Sequence, residues 1–217
     1  YVPVATTFEH QKQNAIGVYI QDQIEIDAWR IGLGLRHDWH DSEFSKDGVH
    51  YARNDSETTW RASIGYVTPW NIMPYVSYGT SYLANPGVPF GATAQAQPTL
   101  GEQYEIGVKY EVPDKNILVS AAYFDIDLEN ASVYTFDTSV NRNVLRQLDL
   151  HSRGVELEVT ASLDNGLSFT GGYSYNDAEI KKLTAQTVGN QFNSAPYHSF
   201  SLWADYDIQE GALEGLG

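Results

Sequence analysis

Two histidines three residues apart stand in the run His37-Asp38-Trp39-His40-Asp41, and such a pair invites a metal-site reading. Asp125, Asp127 and Glu129 recur at every second position, as do Glu156 and Glu158. Paired carboxylates do the work in glycosidases and ligate calcium. Spacing decides against these sites. On an extended strand, residues three apart point to opposite faces, so His37 and His40 do not share one ion. Carboxylates two apart share a face but sit about 7 Å apart at Cα, and no calcium-loop glycine pattern accompanies them. No nucleophile elbow, phosphate loop or Ser-His-Asp spacing is present. The chain is expected to be neither an enzyme nor a metal protein.

Those arguments assume strands, and the dominant signal along the chain is a period of two. Ile16, Val18, Ile20, Ile24 and Ile26 alternate with Gly17, Tyr19, Gln21, Gln23 and Glu25, and only Asp22 breaks the apolar face. Trp29, Ile31, Leu33 and Leu35 stand opposite Arg30, Gly32, Gly34 and Arg36. The same alternation covers Trp60–Tyr66, Tyr104–Tyr110, Leu118–Leu128, Val155–Leu163, Leu167–Tyr175 and Phe200–Ile208, with a weaker stretch at Ile72–Leu83. That predicts about nine strands, most long enough to cross a bilayer at a tilt. Aromatics, among them Trp39, Trp60, Tyr78, Tyr104 and Tyr206, share the apolar parity near strand ends, where interfacial girdles sit.

Connections alternate as well. Short ones fall at residues 26–29, 68–71, 113–116 and 163–166, rich in Pro, Asn, Asp and Gly. Long ones are expected near residues 40–56, 84–99, 131–145 and 181–194. Short turns on one side and long loops on the other describe an antiparallel, up-and-down outer-membrane barrel with short periplasmic turns and long extracellular loops. A diffusion porin would share this pattern, and a soluble β-sandwich binding module also alternates. The formal charge of −15 repels phosphate backbones, so no nucleic-acid partner is expected. Acidic loops are expected to be solvated and to take divalent cations that bridge lipopolysaccharide. The chain holds no cysteine, which removes disulfides and thiolate sites. It opens in mid-pattern at Tyr1-Val2-Pro3 and is read as a piece of a longer protein.

Several runs resemble barrel strands of TonB-dependent siderophore receptors. They are Gly17-Val18-Tyr19-Ile20-Gln21-Asp22-Gln23, Leu33-Gly34-Leu35-Arg36-His37-Asp38-Trp39, Pro74-Tyr75-Val76-Ser77-Tyr78, the run from Leu100 to Tyr110, and Ser152-Arg153-Gly154-Val155-Glu156-Leu157-Glu158. The segment from Ala195 to Tyr206 is similar to the ferric hydroxamate (ferrichrome-type) branch. The resemblance implies that residues 1–217 are part of a 22-stranded barrel domain, without its plug domain and its last strands. It implies outer-membrane, TonB-coupled import of a ferric siderophore, with iron carried by the ligand and no cofactor of the protein's own. The partners implied are the siderophore, the TonB complex acting through the plug, and outer-membrane lipid and lipopolysaccharide. Long-loop aromatics Phe44, Tyr51, Phe90, Tyr134, Phe136 and Phe192 are the candidate ligand contacts. Arg30, Arg36, Arg61, Glu105, Lys109, Asp125, Asp127, Glu156, Glu158, Trp203 and Asp205 are expected on the lumen wall facing the plug.

Overall fold

The computed structural model describes residues 9–46, 48–183, 188–212 and 215–216. The opening residues 1–8 and positions 184–187 of the fourth expected long loop lie outside them. Nine strands follow one another: β1 (Glu9–Ile26), β2 (Trp29–Lys46), β3 (Val49–Tyr66), β4 (Ile72–Leu83), β5 (Thr99–Glu111), β6 (Asn116–Asp137), β7 (Arg142–Ser162), β8 (Leu167–Lys182) and β9 (His198–Tyr206). They form one sheet in chain order, every neighbour antiparallel, with no helix among the described residues. This is the up-and-down meander that the alternation predicts. Among the described residues β1 and β9 are paired on one side only.

Register fixes which side chains share a face, because cross-strand partners point the same way. One unbroken row of partners runs Asp22, Leu33, Ala62, Tyr78, Tyr104, Asp125, Arg153 and Asp177. The next row toward the short turns is Ile24, Ile31, Ile64, Val76, Ile106, Tyr123, Val155 and Tyr175. This apolar face carries two aromatic belts. Trp29 and Tyr66 meet edge-on at 4.9 Å beside the short turns, while Tyr78 packs between Trp60 at 4.7 Å and Tyr104 at 4.6 Å farther up. Ile16, Ile20 and Leu202 stand 61–70% exposed on it. In water such a continuous apolar face would be a liability, whereas hydrocarbon solvates it. The other face, built from the alternate residues, is polar.

The row is not level. Asp22 lies four residues from the turn end of β1, whereas Asp177 lies ten residues from that of β8. Strands are therefore staggered against one another, as tilted barrel strands must be. The stagger puts the charged end of the row beyond the apolar belt and leaves Asp22 within it.

Two of the four expected long loops are not loops. β2 and β3 continue pairing up to Lys46 opposite Val49, and β6 and β7 up to Asp137 opposite Arg142. Both are hairpins that outrun the membrane, closed by tight turns in which Gly48 (φ 81°) and Asn141 (φ 50°) take the left-handed conformation. Their polar, mixed composition reads as loop because neither face needs to be apolar above the membrane. The connection 84–98 is irregular, as expected.

Asp22 yields the first prediction. A carboxylate facing lipid beside Ile20, Ile24 and Leu33 is destabilising unless something pairs with it. Asp22→Leu is expected to raise the stability of the full-length protein in phospholipid vesicles by about 1–2 kcal/mol. Urea titration reads this directly, and a loss instead would reveal a hydrogen-bond donor on the adjoining strand.

Candidate functional site

The polar face is lined by side chains that satisfy one another. Arg36 grips Asp38 through two hydrogen bonds of 2.7 and 2.6 Å, above Gly17, where a Cβ would collide with the guanidinium. The Tyr75 hydroxyl donates to Glu105 at 2.7 Å, its ring occupies the space a Cβ on Gly107 would take, and the Lys109 ammonium lies 5.4 Å from the ring centroid. Gln103 also donates to Glu105, at 3.1 Å. Arg30 approaches Glu25 to 3.5 Å, and Arg61 donates to Gln21. Gln21, Arg30, Arg61, Tyr75, Gln103 and Lys109 border an open trough of about 650 Å³ on this face. Three cations and several amides there offer hydrogen bonds to whatever fills the lumen.

Of the expected wall residues, Arg30, Arg36, Arg61, Glu105, Lys109, Glu156, Glu158, Trp203 and Asp205 share this polar face by register. Asp125 and Asp127 do not. They pair with Tyr104 and Glu102 on β5 and with Arg153 and His151 on β7, on the face that carries the apolar belt. Expecting them on the lumen wall is therefore corrected. The apolar residues of that strand segment, Phe124, Ile126 and Leu128, turn inward instead, and Phe124 is buried. Ligand atoms of Asp125, Asp127 and His151 lie within 4.8 Å of one another, and His151 Nε2 is 3.0 Å from Asp125 Oδ1.

The expected ligand aromatics separate into two groups. Phe44 is 8% exposed and packs beside Tyr51, 6.3 Å between ring centroids. Phe192 packs against a buried cluster of Ala131, Leu148 and Leu150. Tyr134 and Phe136, at 75% and 60% exposed, stand free on the β6–β7 hairpin, and Phe90 is partly exposed on the 84–98 connection. Phe90 is anchored there: its N–H donates to the Leu145 carbonyl at 2.9 Å, and the Arg146 guanidinium lies 5.9 Å from its ring centroid. Tyr75, absent from the expected set, was within reach of the alternation, since it stands opposite Val76. Gln95, Gln97 and Gln147, which join the outer elements, carried no signal in the sequence.

A staggered antiparallel sheet with a belted apolar outside and a polar inside is the wall of an outer-membrane β-barrel. The family model described as TonB dependent receptor-like, beta-barrel, matches residues 1–217, and the chain belongs to that family. It is 35% identical over 207 residues to the ferrichrome outer membrane transporter/phage receptor of Escherichia coli (strain K12), covering 94% of this chain and 27% of that protein. It is 33% identical over 211 residues to the ferrioxamine B receptor of Salmonella typhimurium (strain LT2), covering 96% of this chain and 29% of that one. The chain thus spans under a third of these relatives' length. Among solved structures it is similar to the siderophore receptor PiuA from Acinetobacter baumannii (TM-score 0.74, 24% identity, 90% of this chain and 31% of that one). It is also similar to the ferric-catecholate import receptor Fiu from E. coli (TM-score 0.72, 23% identity, 92% and 33%). Members of this family are outer-membrane proteins.

Asp137, at the tip of the β6–β7 hairpin, gives a pH prediction. Its carboxyl is held below the usual range by the Ser139 hydroxyl and backbone N–H, and by Arg146. A depressed folded-state value stabilises the tip at all pH above the ordinary carboxylate value of about 3.9. The stabilisation is lost as pH falls through the folded value. Hydrogen-exchange protection at residues 137–146, taken relative to the intrinsic rate at each pH, is therefore expected to fall below about pH 3.9, and Asp137→Asn is expected to abolish that acid step.

Proposed function

We propose that residues 1–217 form one stretch of the wall of a larger closed barrel. Its polar face packs against a plug domain, and the intact protein imports a ferric siderophore of the hydroxamate class. Uptake is coupled to the TonB complex through the plug. The chain's match to the ferrichrome transporter, at 35% identity over 94% of its length, carries this reading. The geometry supports it in two ways. The lumen trough offers Arg30, Arg61 and Lys109 to a protein filling, and the outer rim presents Phe90, beside Arg146, to an incoming ligand. Iron arrives already enclosed by the siderophore, so the protein needs aromatic and hydrogen-bonding groups rather than metal ligands. The apolar belt is solvated by outer-membrane lipid, with Asp125, Asp127 and Arg153 at the level of lipopolysaccharide headgroups. The protein acts as a transporter and catalyses no covalent step.

The test is growth of a strain lacking this gene, under iron limitation, on ferrichrome or ferrioxamine B. Loss of growth on one of them, restored by the intact gene only when TonB is present, is the expected result. Uptake that persists without TonB would mark a passive channel, and unaffected growth on both would remove the hydroxamate assignment.

A further inference from the structure

Among the described residues, the most thoroughly buried polar residue at the outer end belongs to the connection 84–98. Gln95 is 5% exposed and the adjacent Ala96 is 1% exposed. An irregular surface segment ordinarily stays wet, so this burial requires a reason. Ser42 Oγ on β2 donates to Gln95 Oε1 at 2.7 Å, and Gln95 Nε2 donates to the Tyr51 carbonyl on β3 at 3.2 Å. Arg53 Nη2 donates to Gln97 Oε1 at 2.8 Å. Every one of these bonds reaches the β2–β3 hairpin.

The same segment holds the other hairpin through different atoms. The Gln97 N–H donates to Gln147 Oε1 at 2.9 Å, and Gln147 Nε2 returns bonds to the Gln97 carbonyl at 2.7 Å and the Asn130 carbonyl at 2.9 Å. The Phe90 N–H reaches the Leu145 carbonyl at 2.9 Å. Within the segment, the Ala96 N–H donates to the Gly87 carbonyl at 2.9 Å and closes it into a compact turn. β3 and β7 are four places apart in the sheet, and among the described residues no ladder joins them above the membrane. The segment is the tie between their hairpins.

We propose that Gln95 is a positioning residue for ligand capture, resting on the siderophore reading above. Its two hydrogen bonds clasp the 84–98 segment to the β2–β3 hairpin. The segment then fixes Phe90 against the β6–β7 hairpin at Leu145 and Arg146. The three outer elements form one rigid rim, and a ligand meets Phe90 already in place. Preorganisation of this kind slows release, because ordering is complete before the ligand arrives.

The test uses the full-length receptor in detergent micelles, with Gln95→Ala, the isosteric Gln95→Met and the milder Ser42→Ala. Hydrogen exchange is followed at residues 84–98 and 142–147, and dissociation of ferrioxamine B and of ferrichrome is timed. Gln95→Ala and Gln95→Met are both expected to speed exchange in both segments and to raise the ligand off-rate about tenfold, with the on-rate within about twofold. Ser42→Ala should follow in the same direction and more weakly, and it serves if the Gln95 variants fail to fold. Acceleration confined to residues 84–98, an unchanged off-rate, or a Gln95→Met variant that behaves as wild type would overturn the clasp. If wild type binds neither siderophore, the transport reading fails, while the exchange data still decide whether Gln95 couples the two hairpins.

Discussion

Inside a bilayer no water is available to the peptide backbone, so every N–H and C=O of a spanning strand must bond to a neighbouring strand. The rest of this structure follows from that constraint. It forces the strands into one continuous antiparallel ladder, and the ladder's register then decides which side chains meet lipid and which meet the lumen. A slip of one residue between any two strands would exchange the two faces. Ile16 and Ile20 would enter the lumen, and Arg36 would enter the hydrocarbon.

Because register separates the faces, each face can be chemically specialised. The inner wall's charged groups largely find partners on the wall itself, as Arg36 does with Asp38 and Glu105 does with Tyr75 and Gln103. Exposed pairs of this sort add little stability. Their effect is to hold long side chains flat, and Gly17 and Gly107 make that possible by leaving room beneath them. Above the membrane the ladder continues within the β2–β3 and β6–β7 hairpins, and between those hairpins side-chain amides such as Gln95 and Gln147 take its place.

The strands and their dry face were legible in the sequence because a membrane enforces period two over the full thickness of the bilayer. The sequence reading failed where that enforcement ends. In β6 the even positions Phe124, Ile126 and Leu128 are apolar, and the odd positions Asp125 and Asp127 are charged. Taking apolar as outward inverts this segment, because its upper part lies beyond the hydrocarbon. There an inward cluster of Leu148 and Leu150 needs covering, and outward carboxylates meet polar surroundings. A bulge between Leu128 and Ala131, with Asn130 in the left-handed conformation, then shifts the parity again, so that both residues pack on the same cluster. The rim ties of Gln95 and Gln97 were illegible because they join segments far apart in the chain through groups that follow no period.

The stagger of the strands has a mechanical meaning. The row that starts low on β1 at Asp22 finishes high on β8 at Asp177, so the hydrogen-bonded direction winds up the wall like the thread of a screw. Hydrogen bonds along such a thread are stiff, whereas sliding between threads is resisted mainly by side chains. A displacement near the periplasmic turns of β1 and β2 follows the thread to a higher level on β6 and β7, at Ala121 and Leu157, several strands away. Load entering at the base on one side is therefore shared with the middle of the wall on another.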